Sequence, residues 1–122
     1  MNVRQSIYVV DDEVAIASTL TAILVEKGYS ATCFTSPLEA LELARSEPPH
    51  VLITDYSMPG LTGLELARGL ALLCPQSSVI LLSAHDLPFI QTQIDGSPMP
   101  RFTFLRKPVA IRTLLDAIRQ LL

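Results

Sequence analysis

Five polar side chains stand where apolar runs stop. Asp11 and Asp12 follow Ile7-Tyr8-Val9-Val10. Asp55 ends the run from His50 to Thr54. Ser83 follows Val79-Ile80-Leu81-Leu82, and Lys107 comes just after Phe102-Thr103-Phe104-Leu105. A Met58-Pro59-Gly60 turn stops the chain beyond Asp55 and leaves that carboxylate at the mouth of its run. Three carboxylates in one cleft repel each other and need a counter-charge. Mg²⁺ suits them, because it takes oxygen ligands, keeps several waters and shares its shell with phosphate. Lys107 offers a point charge on a flexible stem for a phosphoryl oxygen. Ser83 offers a hydroxyl donor. Together these groups could place a phosphoryl group on a carboxylate, chemistry that is mostly positioning and charge neutralisation.

Singly, each residue has a plainer role. An Asp at a strand end is commonly a turn former. Asp-Asp before a helix is commonly N-terminal capping that also favours the helix dipole. Ser83 alone would be another cap, and Lys107 a surface lysine. The weight lies in four run ends that carry compatible groups.

These groups meet only if the runs are parallel strands of one sheet. The chain alternates short apolar runs with helical spacing. Ile16, Leu20, Ile23 and Leu24 recur at helical intervals up to Lys27-Gly28. Ala31-Thr32-Cys33-Phe34 is a second strand. Ser36, Pro37 and Glu39 open the next helix as a cap, a first-turn proline and a capping box. That helix fades before Pro48-Pro49. Thr62-Gly63-Leu64 begins a third helix, which reaches about Leu73 and cannot pass Pro75. Asp86 caps a shorter fourth helix through about Ile94, with Gly96 as its stop. Ile111, Leu114, Leu115, Ile118, Leu121 and Leu122 form one apolar stripe on the last helix.

The pattern is βα repeated five times. It implies a three-layer α/β sandwich around a parallel sheet. The first, third and fourth strands are almost wholly apolar, as central strands require; the second and fifth mix in Thr and suit positions nearer an edge. In a flavodoxin-like order, 2-1-3-4-5, strands one and three flank the switch point where ligands bind. Asp11, Asp12 and Asp55 would gather there.

Composition agrees with one domain over residues 1–122. The chain is 49% hydrophobic and 17% charged, enough apolar content for a core without metal or disulfide staples. The net charge of −3, without a Lys/Arg cluster, argues against direct nucleic-acid binding. Cys33 and Cys74 lie in no C-x-x-C pair and suggest reduced, buried or half-buried thiols. No apolar run approaches the roughly 18 residues of a membrane span. Asp11, Asp12 and Glu13 interrupt any signal-like start. The expectation is a soluble, cytoplasmic domain without membrane insertion.

Four segments carry a family resemblance: Val9-Val10-Asp11-Asp12-Glu13, Thr54 through Gly63, Leu82-Ser83-Ala84 and Phe104-Leu105-Arg106-Lys107-Pro108. On these segments the chain resembles the receiver domain of bacterial two-component response regulators. The resemblance implies that Asp55 accepts a phosphoryl group from the phosphohistidine of a sensor histidine kinase or phosphotransfer protein. It implies Mg²⁺ held directly by Asp12 and Asp55, through water by Asp11, and by the backbone carbonyl of Ser57. Ser83 would be the switch hydroxyl, Lys107 the phosphate partner and Phe104 the aromatic that turns inward on activation. Lys107-Pro108 would be a cis peptide. The domain would catalyse only its own phosphorylation and dephosphorylation, and pass the signal to an effector that the sequence does not name.

The match weakens between Ser83 and Lys107. Pro88 sits near the start of the fourth helix, and Gly96-Ser97-Pro98-Met99-Pro100 replaces the usual turn. A short or irregular helix and a stiff loop follow from these prolines. The dimerisation mode and the coupling from Ser83 through Phe104 are the properties this region would alter. Phe104 has a plainer alternative as a permanently packed strand aromatic. His85 is a rim residue that could influence phosphoryl hydrolysis or simply be solvated. A receiver-like interaction module that works without phosphorylation is the alternative function. A flavin-binding flavodoxin is disfavoured, because no anion-cradling loop follows the first strand.

Overall fold

The computed structural model describes residues 4–94, 96 and 102–122. Its strands are β1 (Ser6–Val10), β2 (Ser30–Phe34), β3 (Val51–Asp55), β4 (Ser78–Ser83) and β5 (Phe102–Arg106). The helices between and after them are α1 (Val14–Glu26), α2 (Pro37–Ala44), α3 (Gly63–Leu73), α4 (Leu87–Thr92) and α5 (Ile111–Leu121). All strands pair in parallel, in the order β2-β1-β3-β4-β5. The flavodoxin-like order expected from the alternation is the order observed. β2 and β5, the strands expected nearer an edge, are the edges.

Side-chain alternation builds the layers, because successive strand residues point to opposite faces. Ile7, Val9, Val51, Ile53, Ile80 and Leu82 face α1 and α5, where they meet Ala17, Leu24, Leu114, Ala117 and Ile118. Tyr8, Val10, Leu52 and Val79 face the other way, onto Ala40 and Ala44 of α2 and Leu66, Ala67 and Leu70 of α3. Leu81 belongs to a third, smaller cluster with Tyr56, Leu64 and Ile90. Full burial of a side chain such as Ile53 or Leu52 is worth about 1.5–3 kcal/mol. The three central strands therefore supply the rigid frame of the site.

Several local expectations change. Ser36 precedes α2 but makes no side-chain cap bond, so no capping box forms there. The box is on α3 instead: Thr62 Oγ1 accepts from Glu65 N (3.2 Å), and Glu65 Oε1 accepts from Thr62 N (3.0 Å). Asp86 caps α4 as expected, accepting from Phe89 N at 3.0 Å. That helix stops at Thr92, short of Ile94. Gln93 N bonds Ile90 O and Ile94 N bonds Gln91 O, and these tighter three-residue turns wind the helix down before Gly96. Residues Ser97 to Pro100, where a stiff loop is expected, lie outside the described residues. On α5 only Leu114, Ala117 and Ile118 are buried, while Ile111 and Leu122 are exposed. Cys74 is buried, but Cys33 is exposed, because it lies on an edge strand. Among the described residues no helix is long and apolar enough to cross a membrane.

Candidate functional site

Strand register assembles the site. β1 pairs Val10 with Thr54, so the next residues, Asp11 and Asp55, become neighbours at the carboxyl edge. β3 pairs Asp55 with Leu82, which sets Ser83 one step further. β4 pairs Ser83 with Arg106, and Lys107 follows. Adjacent strands lie about 4.8 Å apart, so groups at or just past these strand ends share one crevice.

Carboxylate oxygens of Asp11, Asp12 and Asp55 all lie within 4.8 Å of one another. Asp11 and Asp55 are buried and Asp12 is exposed. Lys107 Nζ meets Asp55 Oδ1 at 2.9 Å. Asp11 Oδ1 accepts from Glu13 N at 2.9 Å, a bond that shapes the turn into α1. The residue that caps α1 is Glu13, and it makes no side-chain cap bond. The capping role open to Asp11-Asp12 is therefore not the one they perform. Burial pushes the Asp11 carboxyl above its ordinary range; the Glu13 bond opposes this and the charge of Asp55 adds to it. The donor set is three hard carboxylate oxygens facing one ammonium, which fits a hard divalent cation.

The neighbouring backbone is tightly determined. Tyr56 N donates to Leu82 O (2.8 Å), Gly63 N to Tyr56 O (2.8 Å) and Lys107 N to Ser83 O (2.8 Å). Thr54 Oγ1 donates to Asp55 O at 2.9 Å. A side chain at position 63 would not fit: a Cβ there would lie 2.5 Å from Asp55 O and 2.6 Å from Leu81 Cδ1. Lys107-Pro108 is cis.

Ser83 is buried, and its Oγ accepts from His85 N at 2.9 Å. A hydroxyl that accepts one bond keeps its own hydrogen to donate. Ser57 is exposed after β3, and Met58 packs half-buried against the cluster beneath, with Sδ 3.9 Å from Thr54 Oγ1. Phe104 is neither swallowed by the core nor laid on the surface. It is half-buried against the cluster of Tyr56, Leu64, Leu81 and Ile90. His50 is exposed, far from the site, with Nδ1 accepting from Ser6 N. The sequence reading missed the α3 capping box, although Thr62-Gly63-Leu64-Glu65 spells it. It also missed the pairing of His85 with Phe89, whose rings stack at 4.1 Å.

The family pattern described as the response regulator receiver domain matches residues 7–119. The transcriptional regulatory protein CreB of Escherichia coli (strain K12) is 31% identical over 122 residues, covering 98% of this chain and 51% of CreB. The response regulator MprA of Mycobacterium bovis is 34% identical over 122 residues, covering all of this chain and 51% of MprA. The chain thus spans about half the length of these curated relatives. Among solved structures, the response regulator protein TrrA of Thermotoga maritima, in complex with Mg(2+)-BeF, superposes with a TM-score of 0.81 at 29% identity. It covers 97% of this chain and 99% of TrrA. A match that runs from the first strand into the last helix takes in every one of the site positions, and the chain belongs to the response regulator receiver domain family.

Proposed function

We propose that Asp55 accepts a phosphoryl group from a phosphohistidine on a sensor histidine kinase or phosphotransfer protein. The observation that carries this is the grouping of the Asp11, Asp12 and Asp55 oxygens within 4.8 Å of one another, with the Lys107 ammonium on Asp55. Such crowding of like charge is costly without a cation.

Asp11, Asp12, Asp55 and the Ser57 carbonyl would hold Mg²⁺, with Asp11 acting through water. When bound, Mg²⁺ would neutralise charge on the transferring phosphoryl oxygens. A carboxylate oxygen of Asp55 forms the new O–P bond as the P–N bond of the donor breaks, and the imidazole leaves with that electron pair. Lys107 turns from Asp55 to a phosphoryl oxygen. Ser83 donates its free hydroxyl hydrogen to another. Phe104, half-buried beside Leu81, turns inward as the loops settle. Hydrolysis of the acyl phosphate resets the domain, so its only catalysis acts on itself. The complex of TrrA with Mg(2+)-BeF supports this assignment of a cation and a phosphoryl-like group to a related fold. Residues 1–122 act in this reading as one receiver unit in the cytoplasm, signalling to a protein effector. No observation favours the phosphorylation-independent alternative.

The test is intact-mass spectrometry with Mg²⁺ and a small donor such as acetyl phosphate or phosphoramidate. The wild-type chain gains the mass of one phosphoryl group, and Asp55→Asn gains none. A wild-type chain that binds Mg²⁺ yet gains no mass overturns the proposal.

A further inference from the structure

The amino edge of the sheet, opposite the carboxylates, holds a cavity of about 670 Å³. It lies where β1, β3 and β4 begin and where α3 and α5 end. That volume falls in the range of small-molecule sites. Backbone bonds fix its lining: His50 N donates to Ser6 O at 2.8 Å, Ser78 N to His50 O at 3.0 Å and Ser77 N to Cys74 O at 3.0 Å. The Ser77 hydroxyl is also engaged, donating to Pro49 O at 2.6 Å. Ser78 is the exception. It lines the cavity and is only 6% exposed, yet its hydroxyl has no hydrogen-bond partner among the described residues. Strand alternation turns it to the same face as Ile80 and Leu82, the side on which α5 packs and ends in Leu121. Buried polar groups are almost always bonded, and one that is not marks a place where a partner belongs.

The rest of the lining limits what that partner can be. His50 Nδ1 accepts from Ser6 N at 2.9 Å, so the neutral ring carries its hydrogen on Nε2, which makes no bond among the described residues. Gln5 and Gln76 bring amide groups, and Leu73 and Leu121 bring apolar area. No Asp, Glu, Lys or Arg among the described residues lines the cavity. An ionised ligand would give up hydration here without gaining a counter-charge. A neutral carboxamide matches the polar set. Its carbonyl oxygen can accept from the Ser78 hydroxyl or His50 Nε2–H, and its N–H can donate to the Ser78 oxygen or a glutamine carbonyl. The leucines suit an aliphatic remainder.

We propose that this cavity binds a small neutral carboxamide with an aliphatic body, and that the Ser78 hydroxyl is its central polar contact. The site lies at the opposite end of the strands from Asp55 and stands independently of the phosphoacceptor reading.

The test uses the whole chain, with cyclohexanecarboxamide as the probe and proton–nitrogen NMR as the readout. Backbone signals of His50, Gln76 and Ser78 shift saturably at millimolar probe or below, while those of Asp12 and Ser83 stay in place. Cyclohexanecarboxylate has nearly the same shape but a charge, and it binds about fivefold or more weakly. That comparison needs no variant. Ser78→Ala deletes a hydroxyl without a partner and so keeps the fold, yet it weakens carboxamide binding about fivefold or more. Leu38→Ala, at an exposed position on α2 outside the cavity, leaves binding unchanged. The proposal is overturned by the absence of a saturable shift, by shifts confined to other residues, by equal binding of the carboxylate, or by unchanged affinity in Ser78→Ala.

Discussion

Lys107 Nζ lies 2.9 Å from Asp55 Oδ1, and the Lys107 backbone N–H is fixed to Ser83 O at 2.8 Å. One residue thus supplies the counter-charge to the Asp55 carboxylate and pins the end of β5 to the end of β4. The pair is partly shielded, with 31% of the lysine side chain and 12% of the aspartate side chain exposed. Removing the ammonium leaves three crowded carboxylates without their protein counter-charge. Lys107→Met should cost about 1–2 kcal/mol of stability at neutral pH without metal, between the values for exposed and buried pairs. Urea unfolding checks this, and saturating Mg²⁺ should shrink the deficit.

The same crowding makes the fold respond to cations. Mg²⁺ should raise the melting temperature, reaching about 2.7 kcal/mol of added stability at a hundred times its dissociation constant. Asp12 is the exposed member of the trio. Asp12→Ala should abolish most of that increment while stabilising the metal-free chain. Calorimetry with and without Mg²⁺ decides it; an undiminished response in the variant would remove Asp12 from the ligand set.

Gly63 should not tolerate a methyl group. The added Cβ would meet the Asp55 carbonyl oxygen at 2.5 Å, and that oxygen is backbone in the central sheet. Gly63→Ala should cost about 2–3 kcal/mol, toward the upper end for overpacking. Gly69, also in α3, is the control. The three atoms nearest a Cβ there all belong to the Leu41 side chain, at 3.1–3.8 Å, and its flexible end can yield by a few tenths of an ångström, so Gly69→Ala should be close to neutral, with helix propensity in its favour. Thermal unfolding of the two variants should separate them clearly.

Tyr8 gives the fold an alkaline limit. Its hydroxyl donates to Glu47 O, and burial first, then the charge of Glu47, pushes its pKa from 10.0 up to about 12. Between those values the folded chain keeps a proton that the unfolded chain has released. The stability from this group is complete below pH 10 and is lost as pH rises toward 12, a change of about 2–3 kcal/mol. Tyr8→Phe has no such proton. The stability gap between wild type and Tyr8→Phe should therefore narrow across that window, measured by unfolding at stepped pH. A gap that stays constant would show that Tyr8 does not titrate with folding.

Most of the sheet and its site could be read from residue types. Central strands announce themselves as unbroken apolar runs, and polar residues that end such runs stand out against them. That is why Asp11, Asp12, Asp55, Ser83 and Lys107 were legible. What misled was local and polar. Ser36 and Thr62 both begin a Ser/Thr-x-x-Glu pattern, yet only Thr62 forms its box. The pattern states which bonds are available, while the path of the incoming chain decides which are made. The stacking of His85 on Phe89 was illegible for a different reason. It depends on where a one-and-a-half-turn helix settles, and no periodicity records that.

The bond from Lys107 N to Ser83 O has one more consequence. Ser83 and Lys107, which flank Asp55 from β4 and β5, are spaced by the pairing of those two strands, which sets their separation. Substitutions in α4 that leave the β4–β5 ladder intact leave Ser83 and Lys107 at their spacing. The ladder is thus a fixed ruler between the two side chains, set by the hydrogen bonds of the sheet.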